Sequence, residues 1–138
     1  MLYKLIYSSR ENIKFTDDVL KAILDKANKH NSKNDITGVF LYIDGNIIQL
    51  LEGEKDDIEA LFERISKDNR HKNIKVLIKG SAEERTFPEW YMGFKSMNYS
   101  DYSEYLKKIN YLHDISPTIV FSQENSLDLL VKIIKSKA

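Results

Sequence analysis

The chain has 138 residues, of which 42% are hydrophobic, and only five glycines and two prolines, a composition that indicates one globular domain and excludes a disordered protein. Its 21 basic and 21 acidic residues give a net charge of zero, so it lacks the positive field that nucleic-acid binding usually requires. Cysteine is absent, which excludes disulfides and thiolate chemistry, and the three histidines are too dispersed in the sequence to suggest a metal site.

No apolar run approaches the ~18 residues that a membrane-spanning helix needs. Residues 1–7 have neither a basic flank nor a small-residue cleavage site, so they are typical of a first strand and not of a signal peptide. We therefore expect a cytoplasmic protein with no membrane, nucleic-acid or metal partner.

The apolar spacing alternates between the two-residue period of strands and the helical period. Thr16 is a candidate N-cap for the first helix, a polar break at 31–35 should end it, and Asp44-Gly45 is a hairpin signal. In chain order the predicted elements are a strand at 2–8, a helix from Thr16 to about His30, strands at 36–43 and 46–52, a helix from Asp56, and strands at 73–79 and 89–97.

This order predicts an α+β, ferredoxin-like sheet (βαββαβ with an added strand) that carries two helices on one face. The opposite face is also apolar and needs a cover. A capping pattern at Asp101 and helical spacing over 126–136 predict C-terminal helices in that position. We expect residues 1–97 to form the main domain and residues 98–138 to form a helical extension packed on the sheet.

Gln49 is the unusual residue of the predicted core, because it interrupts an otherwise apolar strand. A buried amide without partners costs about 1–3 kcal/mol, so it should face a polar ligand or be satisfied by backbone or water. We expect the first and third strands to lie side by side and parallel in the middle of the sheet. Alternation of side chains then places Tyr7 beside Gln49, beneath the helices.

Several short motifs lie in order on these elements. They are Leu5-Ile-Tyr7-Ser-Ser9, His30-Asn31 followed by Ile36-Thr-Gly38, Gln49-Leu-Leu-Glu52-Gly53, Asp68-Asn-Arg70-His71-x-Asn73 and Arg85-x-Phe87-x-x-Trp90-x-Met92. Together they resemble BLUF domains, the blue-light sensors that use FAD, over about residues 1–97. The length and tail are similar to the short, stand-alone BLUF proteins that include cyanobacterial phototaxis regulators.

The resemblance implies a photoactive pair and a relay. Tyr7 matches the phenol that gives an electron and a proton to the excited flavin, and Gln49 matches the amide between that phenol and the flavin N5/O4 edge. Light would rearrange the hydrogen bonds of Gln49 and redshift the absorption. Trp90 and Met92 match the fifth-strand pair through which the signal leaves the pocket.

The resemblance also implies the residues that bind FAD. They are Asn31 at the C4=O and N3–H edge with its neighbour His30, Arg64 and Asp68 near the C2 carbonyl and the ribityl chain, and Ile23 and Ile65 as the aliphatic walls.

Each of these residues also fits an ordinary structural role. Tyr7 is one of eight tyrosines, and Asn31 could simply end a helix. Arg64 could be a surface arginine paired with Asp68 one turn later. The same holds for the walls and the relay, since Ile23, Ile65, Trp90 and Met92 could be plain packing residues.

The resemblance implies a light-driven switch and not an enzyme, and its output would reach a separate effector protein or change a homo-oligomer. Two competing functions are a small flavoenzyme, for which the motifs supply no spare acid or base, and a flavin-free interaction module of the same fold. A yellow colour would exclude the module, and a reversible redshift under blue light would separate a sensor from an enzyme.

Overall fold

The computed structural model describes residues 2–98 and Ser100, which form a five-stranded sheet with two helices packed on one face. The α+β architecture predicted from the sequence is confirmed. The elements in chain order are β1 (Leu2–Glu11), α1 (Asp17–Asn34), β2 (Thr37–Ile43), β3 (Asn46–Glu54), α2 (Lys55–Ser66), β4 (His71–Ser81) and β5 (Gly93–Met97).

Helix α1 begins at the predicted cap and ends later than predicted. The Thr16 hydroxyl accepts a hydrogen bond from the backbone N–H of Val19, as an N-cap should. The predicted break at 31–35 was wrong for most of its length, because the helix runs to Asn34, whose side-chain amide donates to the carbonyl of His30. Asp35 ends the helix in the left-handed conformation, with φ of 53°.

The strand order is β4-β1-β3-β2-β5, so β1 and β3 are adjacent in the interior of the sheet, as predicted. They are antiparallel, however, and the predicted parallel pairing was wrong. The crossover through α1 makes β2 parallel to β1, and the tight hairpin then sends the chain back between them, so β3 must run opposite to both. Among the strands that the structure describes, only β5 pairs in parallel, with β2.

The hairpin turn is confirmed at Asp44 and Gly45, whose φ angles of 42° and 89° are both positive. Two left-handed residues in succession match the right-handed twist of the flanking strands. This turn sets the register of β2 on β3 and therefore which side of the sheet Gln49 faces.

The fifth strand is shorter than predicted. It begins at Gly93, so Trp90 and Met92 lie in the loop before the strand and not within it. The local reason is a turn in which the Trp90 N–H approaches the carbonyl of Phe87, at 3.5 Å, and the two rings stack with their planes 6° apart. The backbone there is committed to a turn and cannot extend as a strand.

The core fills the layer between the helices and the sheet. Tyr3, Leu5 and Tyr7 of β1 pack there with residues of both helices, among them Leu20 and Ile58. The alternation predicted for β1 and β3 is therefore confirmed. Among the residues that the structure describes, no helix combines the length and apolar character that a membrane crossing requires.

The opposite face of the sheet is apolar and also buried; its residues include Ile6, Val39, Leu41, Ile48, Leu50 and Leu77. The helices predicted within 98–138 to cover this face lie outside the described residues, apart from Asn98 and Ser100.

We predict that Gly38→Ala destabilises the fold, because an added Cβ would lie 1.9 Å from the backbone carbonyl oxygen of Leu50. The strand would have to shift, at a cost of about 1–3 kcal/mol or more in the free energy of unfolding. Denaturant unfolding measures this cost. Gly80→Ala is the matched control, since a Cβ there meets no atom within 4 Å, and its effect should stay within about 0.5 kcal/mol. Equal effects of the two changes would contradict the prediction.

Candidate functional site

A cleft lies between the two helices and the helix-side face of the sheet. The structure brings all the predicted site residues except Trp90 to its lining, together with several that were not predicted. The predicted residues at the lining are Tyr7, Ile23, His30, Asn31, Gln49, Arg64, Ile65, Asp68 and Met92; those not assigned a role from the sequence include Lys26, Phe40, Arg70 and His71.

Tyr7 and Gln49 face each other directly in the register of β1 on β3. The Tyr7 hydroxyl donates a hydrogen bond to Gln49 Oε1. The Gln49 side chain is 5% exposed, and its Nε2 donates to the sulfur of Met92 at 3.5 Å. A thioether is a weak acceptor, so the amide is held firmly on the phenol side and loosely on the sulfur side. The polar partner that the sequence required for Gln49 is therefore a phenol on the neighbouring strand.

The Tyr7 phenol is buried and is a hydrogen-bond donor. Burial, and to a lesser degree the Asp68 carboxylate, raise the pKa of this phenol above its ordinary value. Phe62 and His71 pack beside the ring, with centroid distances of 5.4 and 6.2 Å. The proton therefore stays on the phenol oxygen in the ground state. Tyr7 is accordingly the donor, and Gln49 the acceptor, of the hydrogen bond between them.

Asn31 occupies the last turn of α1 and is 1% exposed. Its Nδ2 donates to the carbonyl of Tyr91 at 2.6 Å, whereas its Oδ1 accepts no hydrogen bond from any residue that the structure describes. A buried acceptor left unpaired is costly and rare in folded proteins. Its position at the cleft lining marks the place where a ligand N–H would be stabilised.

Charged groups surround the cleft on the helix side. Arg64 lies 3.4 Å from Nδ1 of His30, and burial first and the Arg64 charge second lower the pKa of that histidine. Asp68 pairs with Arg70, at 2.5 Å, so the predicted alternative in which Arg64 pairs with Asp68 was wrong. The hydrogen bonds from Arg70 lower the pKa of Asp68, and the same pair raises the pKa of Arg70. Arg64 therefore keeps its donors at the cleft, beside the histidine.

His71 joins β4 to β1 and α2 at the back of the cleft. Its Nε2 lies 2.7 Å from the carbonyl of Ile65, which can only accept, so Nε2 carries a proton. Its Nδ1 lies 2.8 Å from the hydroxyl of Ser9. The sequence motif contained Arg70 and His71, and their place within three residues of Asp68 is the signal that could have assigned them roles at this site.

Met92 and Trp90 take opposite orientations. Met92 is 6% exposed and contacts Gln49, whereas Trp90 is 42% exposed and does not line the cleft. The methionine of this pair therefore lies inside the protein and the tryptophan lies outside. Among the described residues no group of three or more histidine, aspartate or glutamate side chains could hold a metal ion.

Comparison with known proteins places this chain in a family. The sequence model described as "BLUF: Sensors of blue-light using FAD" matches residues 2–93. The structure described as "BlsA photo-activated state" aligns with a TM-score of 0.83 and 32% identity, covering 99% of this chain and 97% of that one. The dark-state structure of BlrB, described as a BLUF protein, aligns with a TM-score of 0.76 and 25% identity, covering 96% and 94%.

Two curated relatives are much longer than this chain. The blue light- and temperature-regulated antirepressor BluF of Escherichia coli is 35% identical over 89 residues, which are 63% of this chain and 22% of the relative. The photoactivated adenylate cyclase subunit beta of Euglena gracilis is 38% identical over 72 residues, which are 51% of this chain and 8% of that subunit. The chain thus spans less than a quarter of either relative. Because the family model matches more than half of its length, the chain belongs to the BLUF family, the sensors of blue light that use FAD.

Proposed function

We propose that this cleft holds FAD and that blue light switches the hydrogen bonds of Gln49. The observation that carries the proposal is the chain of contacts at the cleft lining, in which the Tyr7 hydroxyl donates to Gln49 and Gln49 donates to Met92. The family is one of sensors that use FAD, which sets aside the flavin-free module and the flavoenzyme considered from the sequence.

The residues at the cleft fit a flavin. The unpaired Oδ1 of Asn31 can accept from a ring N–H, and Gln49 offers an amide beside it on the same lining. Ile23 and Ile65 are half-buried aliphatic side chains from opposite helices, which suits the two faces of a flat aromatic ring. His30, Arg64 and Asp68 supply polar contacts at the rim. When bound, FAD supplies the absorption of blue light and, in its excited state, the acceptor of an electron.

The protein's part is to hold and move one proton. Tyr7 is the electron donor nearest to Gln49, and a phenol that loses an electron becomes strongly acidic. Its proton then has a path to Gln49 Oε1, the atom that already accepts the hydroxyl hydrogen. An amide that has reoriented no longer holds its Nε2 against the Met92 sulfur, so the change passes to the loop that carries Met92 and Trp90.

The output belongs to the same proposal. Residues 1–97 act as the photosensory domain, and residues 98–138 carry the signal as a C-terminal extension, to a separate effector protein or to a change in homo-oligomer. The proposal also includes the cytoplasmic location that is expected from the sequence. Size-exclusion chromatography in the dark and under blue light tests the oligomer change, and cell fractionation tests the location.

Tyr7→Phe should keep bound FAD but abolish the reversible redshift, because the ring still fills its space while the transferable proton is lost. Absorption spectra before and after blue light measure the shift. Tyr3→Phe is the matched control: Tyr3 is buried on the same face of β1 but does not line the cleft, so its variant should keep the shift. A normal photocycle in Tyr7→Phe would show that another residue is the electron donor.

Gln49→Leu should also retain FAD and lose the redshift, since leucine can neither accept from Tyr7 nor donate to a ligand. Difference spectroscopy under blue light measures the response. Met92→Leu serves as the comparison, because it removes only the weak sulfur acceptor and should leave a redshift. An unaltered shift in Gln49→Leu would assign the switch to a different side chain.

Asn31→Ala should weaken FAD binding by about tenfold to a hundredfold, the loss expected when a buried hydrogen-bonded pair of this kind is removed. Fluorescence titration of the apoprotein with FAD measures the dissociation constant. Asn28→Ala provides the control on the same helix, because Asn28 is exposed and bonds only the carbonyl of Leu24 among the contacts described. Equal affinities of Asn31→Ala and wild type would remove Asn31 from the binding site.

A further inference from the structure

The loop between β4 and β5, residues 82–92, is here called the relay loop. Its second half is tied to the cleft side at three points. The N–H of Gly38 donates to the carbonyl of Trp90 at 3.0 Å, Asn31 donates to the carbonyl of Tyr91, and Gln49 donates to the sulfur of Met92. A change at Gln49 therefore acts directly on one end of the relay loop.

The first half of the relay loop is held by a buried carboxylate, that of Glu52. This side chain is fully buried, and it accepts the backbone N–H groups of Thr86 at 2.5 Å and Phe87 at 3.0 Å. The ammonium of Lys4 lies 3.8 Å away and balances the charge. Glu52 is on β3, three residues beyond Gln49, and alternation puts the two side chains on opposite faces of the sheet.

Arg85 reinforces this attachment. Its guanidinium donates to the hydroxyl of Thr37 at 2.9 Å, to the backbone carbonyl of Glu52 at 3.1 Å, and to the carbonyl of Asp35 at 2.7 Å. One side chain thus fastens the relay loop to the end of α1 and to two strands. A planar guanidinium with several donors suits this arrangement, and a lysine could not reproduce it.

The Glu52 contact reaches Trp90 through one intermediate residue. The N–H of Phe87 bonds the carboxylate, and the Phe87 ring stacks on the indole of Trp90 with centroids 5.7 Å apart. The exposed tryptophan is therefore placed by a carboxylate that lies outside the cleft, and not by the flavin-side residues alone.

We propose that Glu52, supported by Arg85, is a positioning residue of the photoresponse: it fixes the first half of the relay loop so that a change at Gln49 alters the environment of Trp90. A loop held only at the Gln49 end would absorb the change in its own motion, whereas a loop that is also held in its first half passes the change on to Trp90. The inference rests on the proposed function and adds a second, light-insensitive anchor to it.

Glu52→Gln tests this anchor with little change in volume. Glutamine keeps one acceptor but turns an N–H₂ group towards a backbone N–H, so one of the two loop bonds is lost. Trp90 is the single tryptophan of the chain, so indole fluorescence and its collisional quenching report on the relay loop alone. The experiment uses the full-length, FAD-loaded protein and records the redshift, the light-minus-dark change in tryptophan fluorescence, and amide hydrogen exchange in the relay loop.

We expect Glu52→Gln to keep the wild-type redshift, to lose most of the light-induced fluorescence change, and to exchange the Thr86 and Phe87 amides roughly tenfold or more faster. Glu84 is an exposed residue of the same loop, and Glu84→Gln removes the same charge. This variant should match wild type in the redshift, the fluorescence change and the amide exchange. Should Glu52→Gln fail to fold, Arg85→Lys makes the same test, with the same expected separation of redshift from fluorescence change.

An unchanged fluorescence response in the variants would overturn the inference, as would loss of the redshift together with the fluorescence change, which would place Glu52 in the flavin site. A wild-type protein with a redshift but no tryptophan response would overturn it too, because there would be no relayed change. A wild-type protein with no redshift at all would instead overturn the proposed function. The two failures are therefore distinguishable.

Discussion

The hydrogen bond from Tyr7 to Gln49 is the interaction on which the site depends. It joins the middle strands of the sheet beneath two helices, where burial keeps the phenol protonated and gives the amide few other partners. The register of β1 on β3 places the two residues directly opposite each other. The sheet thus places a hydrogen-bond donor, Tyr7, beside an acceptor, Gln49, and the two roles are exchanged if the proton moves from one to the other. The cleft lies on the face of the sheet where these two side chains meet.

Much of this arrangement follows from periodicity and turn chemistry. Alternation along β1 and β3 was enough to bring Tyr7 and Gln49 to one face, and the Asp-Gly pair was enough to place the hairpin. The direction of β3 was missed because pairing in parallel or antiparallel sense leaves the alternation unchanged. The end of α1 was missed because Asn34, a residue that usually favours turns, here bonds a carbonyl one turn back and extends the helix.

The contacts that remained hidden are those between residues distant in the chain. Nothing near Glu52 in the sequence indicates that its carboxylate binds the amides of Thr86 and Phe87, since a charged residue at a strand end is usually solvated. The pairing of Asp68 with Arg70 instead of Arg64 depends on a tight turn after α2, where the Arg70 N–H also bonds Asp68. In both cases the deciding partner is a backbone group whose position only the folded chain defines.

The weak contact between Gln49 and the Met92 sulfur has a thermodynamic meaning. If the amide turned by half a revolution, its nitrogen would meet the Tyr7 oxygen, which can accept, and its oxygen would meet a sulfur that offers no proton. The turned amide would also lose the bond that Oε1 accepts from the Tyr7 hydroxyl, so the direction of the Tyr7 bond sets the present orientation and the thioether adds only one poor hydrogen bond to it. A strong acceptor in place of the thioether would lock the amide in a single orientation.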